Sequence, residues 1–131
     1  MKPLFIEATA QTPQVEFDAE KGLLKISGRA FPQKIIDFYA PVIKWVDEYI
    51  KEAKDETIWD LKMEYINSAS TMIVANLLKK LSALTASGKK LTINWRHSLE
   101  DEDDMLEIGK EMEILLNYPF NFITYESELS E

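Results

Sequence analysis

Apolar residues recur along this chain in two rhythms, and the switches between them mark the elements. Val15 and Phe17 alternate with polar neighbours, Asp18-Ala19-Glu20-Lys21-Gly22 has the composition of a turn, and Leu24, Ile26 and Gly28 resume the alternation. Two short strands about a Gly-containing turn predict a hairpin, ended by Phe31-Pro32. Ile35, Phe38, Tyr39, Val42, Trp45, Val46, Tyr49 and Ile50 then return at helical spacing with charged residues between them, which predicts an amphipathic helix. Pro41 lies within that run and should either kink the helix or mark its true start. Trp59, Leu61, Met63 and Tyr65 alternate with Asp60, Lys62 and Glu64 as a strand does. After Asn67-Ser68-Ala69-Ser70-Thr71, a second helical face carries Ile73, Val74, Leu77, Leu78, Leu81 and Leu84, with Gly88 to close it.

Leu91, Ile93 and Trp95 form another alternating strand. Glu100-Asp101-Glu102-Asp103-Asp104 leads a third helix carrying Met105, Ile108, Met112 and Leu115, because acidic residues favour the positive end of a helix. Asn117 and Pro119 end it, and Phe120–Tyr125 reads as a last strand. Residues 1–12 carry no firm pattern and are expected to be an extended arm; residues 126–131 are expected to fray. No internal repeat or low-complexity block is present.

Strands that alternate with helices imply crossover connections and a sheet with a parallel portion. A parallel strand buried on both faces should be continuously apolar, whereas Trp59–Tyr65 and Leu91–Trp95 alternate. The predicted fold class is therefore α/β, with a single-layer mixed sheet and helices mainly on one face. The 131 residues fit one domain, 1–131, large enough for a core without disulfides.

Charge and composition narrow the function classes. Lys+Arg 15 against Asp+Glu 23 gives a net charge of -8, which disfavours nucleic-acid binding and docking on anionic lipid. The absence of cysteine removes disulfide frameworks, thiolate nucleophiles and Cys-based metal sites. The stretch Ile35–Ile50 is interrupted by Asp37, Lys44, Asp47 and Glu48, so it is not a membrane span, and no targeting segment is apparent. A cytoplasmic protein is the simplest expectation.

Candidate chemistry is sparse. The single histidine, His97, ends a strand and reads as a solvated side chain rather than a triad member. The acidic run 100–104 lacks the Gly and later Glu of a calcium loop and reads as a solvated helix start. Neither a dinucleotide nor a P-loop glycine pattern occurs, so no cofactor is implied. Asp60, Lys62 and Glu64 alternate in sign on one strand face and read as a neutralised strip. The rival is a small enzyme using Asp60 and Glu64 on the open sheet face. A third alternative is an unregulated subunit of a structural oligomer.

The segment Tyr65-Ile66-Asn67-Ser68-Ala69-Ser70-Thr71 stands apart. It joins a strand end to a helix start, where one Asn, Ser or Thr suffices as cap. Asn67, Ser68, Ser70 and Thr71 exceed that need, and they lie at the strand end where α/β folds display functional groups. A hydroxyl presented there for phosphorylation would gain about -1.5 to -2 charges beside the positive end of the second helix. The helix would tolerate the added charge, while an acidic or apolar partner docked on it would be repelled.

The element order and the strand–Asn-Ser-Ala-Ser–helix junction resemble STAS-like anti-sigma-factor antagonists. The chain is more closely similar to the SiaC family of regulatory phosphoproteins. The features that carry this are Thr12-Pro13, Gly28 through Phe31-Pro32, Phe38-Tyr39 with Val42–Val46, Tyr65–Ser70, Leu91–Trp95, Asp101–Asp104 with Gly109, and Pro119-Phe120. The resemblance implies a non-enzymatic switch. Its phosphorylated hydroxyl falls on Ser68, with Ser70 and Thr71 as backup acceptors, and Tyr65, Asn67, Ser68, Ala69, Ser70 and Thr71 are the implied partner contacts. It further implies a cognate protein kinase, a PP2C-type phosphatase, and a diguanylate cyclase (a GGDEF protein) bound and activated by the unphosphorylated form. A homodimer is a further expectation. Two departures stand out: Ser68 where the family often has Thr, and Asn67 where STAS-like proteins have Asp. The first keeps the acceptor chemistry; the second removes a charge from the junction.

Overall fold

The computed structural model describes residues 1–100 and 104–126. Six strands form one sheet in chain order: β1 (Leu4–Ile6), β2 (Gln14–Asp18), β3 (Leu23–Ala30), β4 (Glu56–Ile66), β5 (Lys90–Ser98) and β6 (Asn121–Tyr125). The β1–β2 and β2–β3 pairs are antiparallel; β3–β4, β4–β5 and β5–β6 are parallel. Each parallel step is bridged by one helix: α1 (Ile35–Lys51), α2 (Ser68–Ser82) and α3 (Met105–Leu116).

The alternation read from the sequence is the burial pattern of the sheet. Leu24 and Ile26 on β3, Trp59, Leu61 and Met63 on β4, and Leu91, Ile93 and Trp95 on β5 are buried beneath the helices. Lys25, Asp60, Lys62, Asn94 and Arg96 point the other way and leave that face open to solvent. From above, α1 contributes Tyr39, Val42, Val46 and Tyr49, α2 contributes Val74, Leu77, Leu78 and Leu81, and α3 contributes Met105, Gly109 and Met112. A buried hydrogen bond of 2.7 Å between the Tyr49 and Thr57 hydroxyls ties α1 to β4, giving each polar group the partner that burial demands.

The first residues are not an unpatterned arm. Leu4–Ile6 pair antiparallel with Val15–Phe17, and the Trp45 indole donates to the Lys2 carbonyl at 2.9 Å. Three residues are too few to show a period in the sequence, and the edge of β2 supplies the order instead. Pro41 is not a helix start: α1 begins six residues earlier, and Pro41 lies on its exposed side. The α-helical part of α2 ends at Ser82; a 3₁₀ turn, Ala83–Ser87, carries the chain to Gly88, whose φ of 83° closes the element. The acidic opening 100–104 is described only at Glu100 and Asp104, both exposed, and 101–103 lie outside the described residues. In the expected frayed tail only Glu126 is described, outside β6. Leu115, placed on the core stripe of α3 by periodicity, is 73% exposed.

Two backbone features shape the end of the sheet nearest α2. The β3–β4 register shifts between Gly28 and Arg29, where Met63 opposes Gly28 and Tyr65 opposes Arg29, leaving Glu64 as the extra residue of a bulge. The alternation therefore breaks, and Ile66 rather than Tyr65 takes the buried position. On α3, Gly109 lies so close to Trp95 that an added Cβ would fall 2.6 Å from the indole Nε1, the atom that donates to the Met105 carbonyl at 2.8 Å. Gly109→Ala should therefore destabilise the fold by about 1–3 kcal/mol despite alanine's better helix propensity. A urea titration measures this, and a variant as stable as wild type would show that α3 is not seated on Trp95.

Candidate functional site

The candidate site is the handover from β4 to α2. Asn67 is the N-cap, with extended backbone (φ -81°, ψ 169°), and its Oδ1 accepts from the Ser70 amide at 2.8 Å. Its own amide donates to the Ala30 carbonyl on β3 at 2.9 Å. Its carbonyl accepts from the Thr71 amide and the Thr71 hydroxyl, each at 2.9 Å. One residue thus fixes the helix start to the sheet and meets an amide of the first turn that would otherwise lack a partner.

The neighbouring hydroxyls fall into three different situations. Ser68 is the first helical residue and is exposed, and its hydroxyl makes no hydrogen bond to the described residues. Ser70 is 0% exposed, with its Oγ turned inward beside the phenol of Tyr39, though without a hydrogen bond of full geometry. Burial pushes the Tyr39 phenol above its ordinary pKa, and the Ser70 hydroxyl offsets part of that rise. Thr71 is half-buried, and its hydroxyl is committed to the Asn67 carbonyl. Ala69 is exposed beside Ser68. The structure therefore brings Asn67, Ser68, Ala69, Ser70 and Thr71 into one turn but gives only Ser68 an exposed hydroxyl.

Tyr65 belongs to a separate cluster. Its ring meets Phe31 edge-on at 5.7 Å, and the Arg29 guanidinium lies 5.5 Å from the Tyr65 centroid and 5.6 Å from that of Phe31. This is the consequence of the bulge at Glu64, which re-aims the end of β4.

A groove of about 380 Å³ opens beside Ser68, between α2 and α3. Ile66, Met72 and Ala75 form one wall, and Ile108, Met112 and Leu115 form the other, with Glu111 the one charged lining residue among the described residues. Met72 is 69% exposed, so this apolar surface faces solvent. On the far side of α2, Ile36 (79% exposed), Tyr39, Ala40, Ile43 and Ile73 line a second groove against α1. Exposed Met and Leu lie beside a polar hydroxyl there, contiguous apolar surface of the kind that marks interaction sites on folded chains. The reading of helical apolar residues as core missed this. The available signal was the runs Met72-Ile73-Val74 and Ile114-Leu115-Leu116, since three consecutive apolar residues span too wide an arc for one buried stripe.

The open sheet face holds the rival carboxylates in another state. Asp60 is engaged bidentately by Arg96, with Nε–Oδ1 at 2.9 Å and Nη2–Oδ2 at 3.0 Å, and also accepts from Asn94 at 3.4 Å. The Asp60 hydrogen bond holds the Arg96 proton more firmly than usual. Lys62 does not pair with Asp60; its ammonium sits 4.6 Å from the Tyr125 ring centroid. Glu64 is exposed. His97 is not the solvated residue its place suggested: it is half-buried, and its Nδ1 is enclosed with no partner among the described residues. Among the described residues of this face no hydrogen bond joins a nucleophile to a base and an orienting acid. Among the described residues no group of three acidic or histidine side chains gathers to hold a metal, and no helix is long and apolar enough to cross a membrane.

Comparison with known proteins places this arrangement. The family model of the SiaC family regulatory phosphoprotein matches residues 6–125. A relative from Pseudomonas aeruginosa strain UCBPP-PA14, the uncharacterized protein PA14_02130, is 24% identical over 120 residues, 92% of this chain and 94% of its own. SiaC of Pseudomonas aeruginosa has the same fold, with a TM-score of 0.85 at 22% identity over 95% of this chain and 100% of that one. A crystal structure of the diguanylate cyclase SiaD in complex with its activator SiaC, also from Pseudomonas aeruginosa, matches with a TM-score of 0.85 at 23% identity, covering 93% of this chain and 99% of that one. With the family match spanning nearly its whole length, this chain belongs to the SiaC family of regulatory phosphoproteins, a non-enzymatic class.

Proposed function

We propose that this protein is a phosphorylation-controlled activator of a diguanylate cyclase. Unmodified, it docks on the cyclase and raises cyclic-di-GMP synthesis, which ties it to biofilm behaviour. A cognate protein kinase transfers a phosphoryl group to Ser68, the cyclase is released, and a PP2C-type phosphatase restores the active form. The observation that carries this reading is the exposed Ser68 hydroxyl, not engaged in capping, in the lining of an apolar groove. The solved pairing of a SiaC with a diguanylate cyclase supports the class of partner.

Ser68 is preferred over its backups on access. Ser70 is fully buried and Thr71 is back-bonded to Asn67, so transfer to either requires the first turn of α2 to open. A phosphoryl group on Ser68 is compatible with the fold, because α2 has no acidic residue in its first turn and presents its positive end there. The same dianion within a docked, desolvated interface is costly, and each ~1.4 kcal/mol of that cost is tenfold in affinity.

Binding to the purified cyclase by calorimetry tests the reading. Ser68→Ala should bind as wild type, and Ser68→Asp or Ser68→Glu should bind at least about tenfold more weakly; equal binding by all three would contradict the mechanism. Met72→Ala should weaken binding by about 1–2 kcal/mol while stability changes by less than about 0.5 kcal/mol, because its side chain is exposed in the free protein. Unchanged binding would move the docking surface elsewhere. Asn67→Ala should cost about 1 kcal/mol of stability through the lost cap, read by urea denaturation.

A further inference from the structure

The two edges of the sheet are finished differently. β1 is three residues long, follows Pro3 and is flanked by Lys2 and Glu7, a short, charged edge of the kind that discourages pairing. β6, at the other edge, runs Asn121-Phe122-Ile123-Thr124-Tyr125 with no charge, no proline and an unbroken register against β5. Such an edge is open to a further strand.

One contact fixes which backbone groups of β6 point outward. The Tyr125 carbonyl accepts from the Leu99 amide at 2.8 Å, so Tyr125 turns its backbone groups toward β5. The amide and carbonyl of a strand residue point to the same side, and the sides alternate along the strand. Ile123 therefore also faces β5, while Phe122 and Thr124 direct N–H and C=O away from the sheet. Among the described residues no hydrogen bond reaches those outward groups. The side chains alternate across the two faces as well. Asn121 donates to Asn94 at 3.2 Å on the open face, which Ile123 shares, and Phe122 lies on the helix side with its ring 6.0 Å from that of Phe120.

We infer that the β6 edge is the seat of a two-fold contact with a second copy of this chain. Two outward residues on either side of one inward residue are self-complementary. Laid antiparallel about Ile123, Phe122 of each copy meets Thr124 of the other, and each such pair exchanges both N–H···O=C bonds. Ile123 then faces Ile123 of the other copy on the axis, a β-branched pair in the close, non-hydrogen-bonded position. Every outward group of Phe122 and Thr124 is met, and no charge is buried. Because β4 and β6 run the same way, the antiparallel contact sets the two Ser68 turns at opposite ends and leaves both grooves open. A stable dimer buries about 800 Å² per partner, more than one short strand supplies, so this association is weak and concentration-dependent. Each copy carries a net charge of -8, and salt relieves the resulting repulsion.

Sedimentation of the full-length, unmodified protein from about 10 μM to about 1 mM tests this. The mass should rise toward that of a dimer with concentration, and further as salt is added. Thr124→Pro removes an outward N–H and spares the ladder to β5, a change that edge strands tolerate. Ile123→Lys sets two ammonium groups against each other. Both variants should stay monomeric with the circular dichroism of wild type. Hydrogen–deuterium exchange of the wild-type protein needs no variant: the Phe122 and Thr124 amides should exchange about tenfold more slowly at the high concentration than at the low. A monomer throughout, a dimer that survives both substitutions, or amides indifferent to concentration would overturn the inference. Protection of these amides only when purified cyclase is added would also overturn it, giving the edge to a strand of that partner. Ser68 takes no part in the contact, so its switch stands or falls separately in cyclase binding.

Discussion

A sheet that is apolar on one face only constrains everything else in this molecule. Alternation along β3, β4 and β5 allows burial on one side, so the three crossover helices share that side. With three helices in one layer over strands in consecutive order, α2 must occupy the middle. A groove then runs along each of its flanks, and its N-terminus emerges where β4 ends. The position of the site follows from the single-sided sheet before any functional residue is considered.

The chemistry at that position depends on how hydrogen bonds are shared in one turn. A helix start needs its first amides satisfied, and Asn67 supplies the side-chain cap. Ser70 has been drawn into the core and Thr71 folds back on the chain, leaving Ser68 with an exposed hydroxyl. Asn67, unlike an Asp in its place, supplies the capping acceptor without adding a negative charge beside that hydroxyl. A neutral cap keeps the positive end of α2 uncompensated, which is the electrostatic condition a phosphoryl group would meet.

Much of this was legible from residue order. Strict alternation in Trp59–Met63 and Leu91–Trp95 carried the one-sided sheet, and the excess of hydroxyls after Ile66 marked the junction. Other features were hidden because they depend on contacts distant in sequence. β1 exists because β2 offers an edge and Trp45 holds Lys2. Tyr65 leaves the core row because Gly28 permits a bulge across the strand pair. The sequence pattern could not distinguish Ser68 from Ser70, since only the packing of Tyr39 and α2 decides which hydroxyl turns inward. Leu115 reads as core by period, yet it lines the open groove between α2 and α3 and stays exposed.

What unites these observations is one side-chain oxygen held at a fixed place on a surface otherwise suited to apolar contact. Peptide mapping by mass spectrometry of the protein isolated from its native host, before and after phosphatase treatment, tests that claim most directly. The account requires a phosphatase-sensitive gain of one phosphoryl group, localised by fragmentation to Ser68. A modification found only at Ser70 or Thr71, or native protein that never carries a phosphoryl group in this turn under any growth condition, would contradict it.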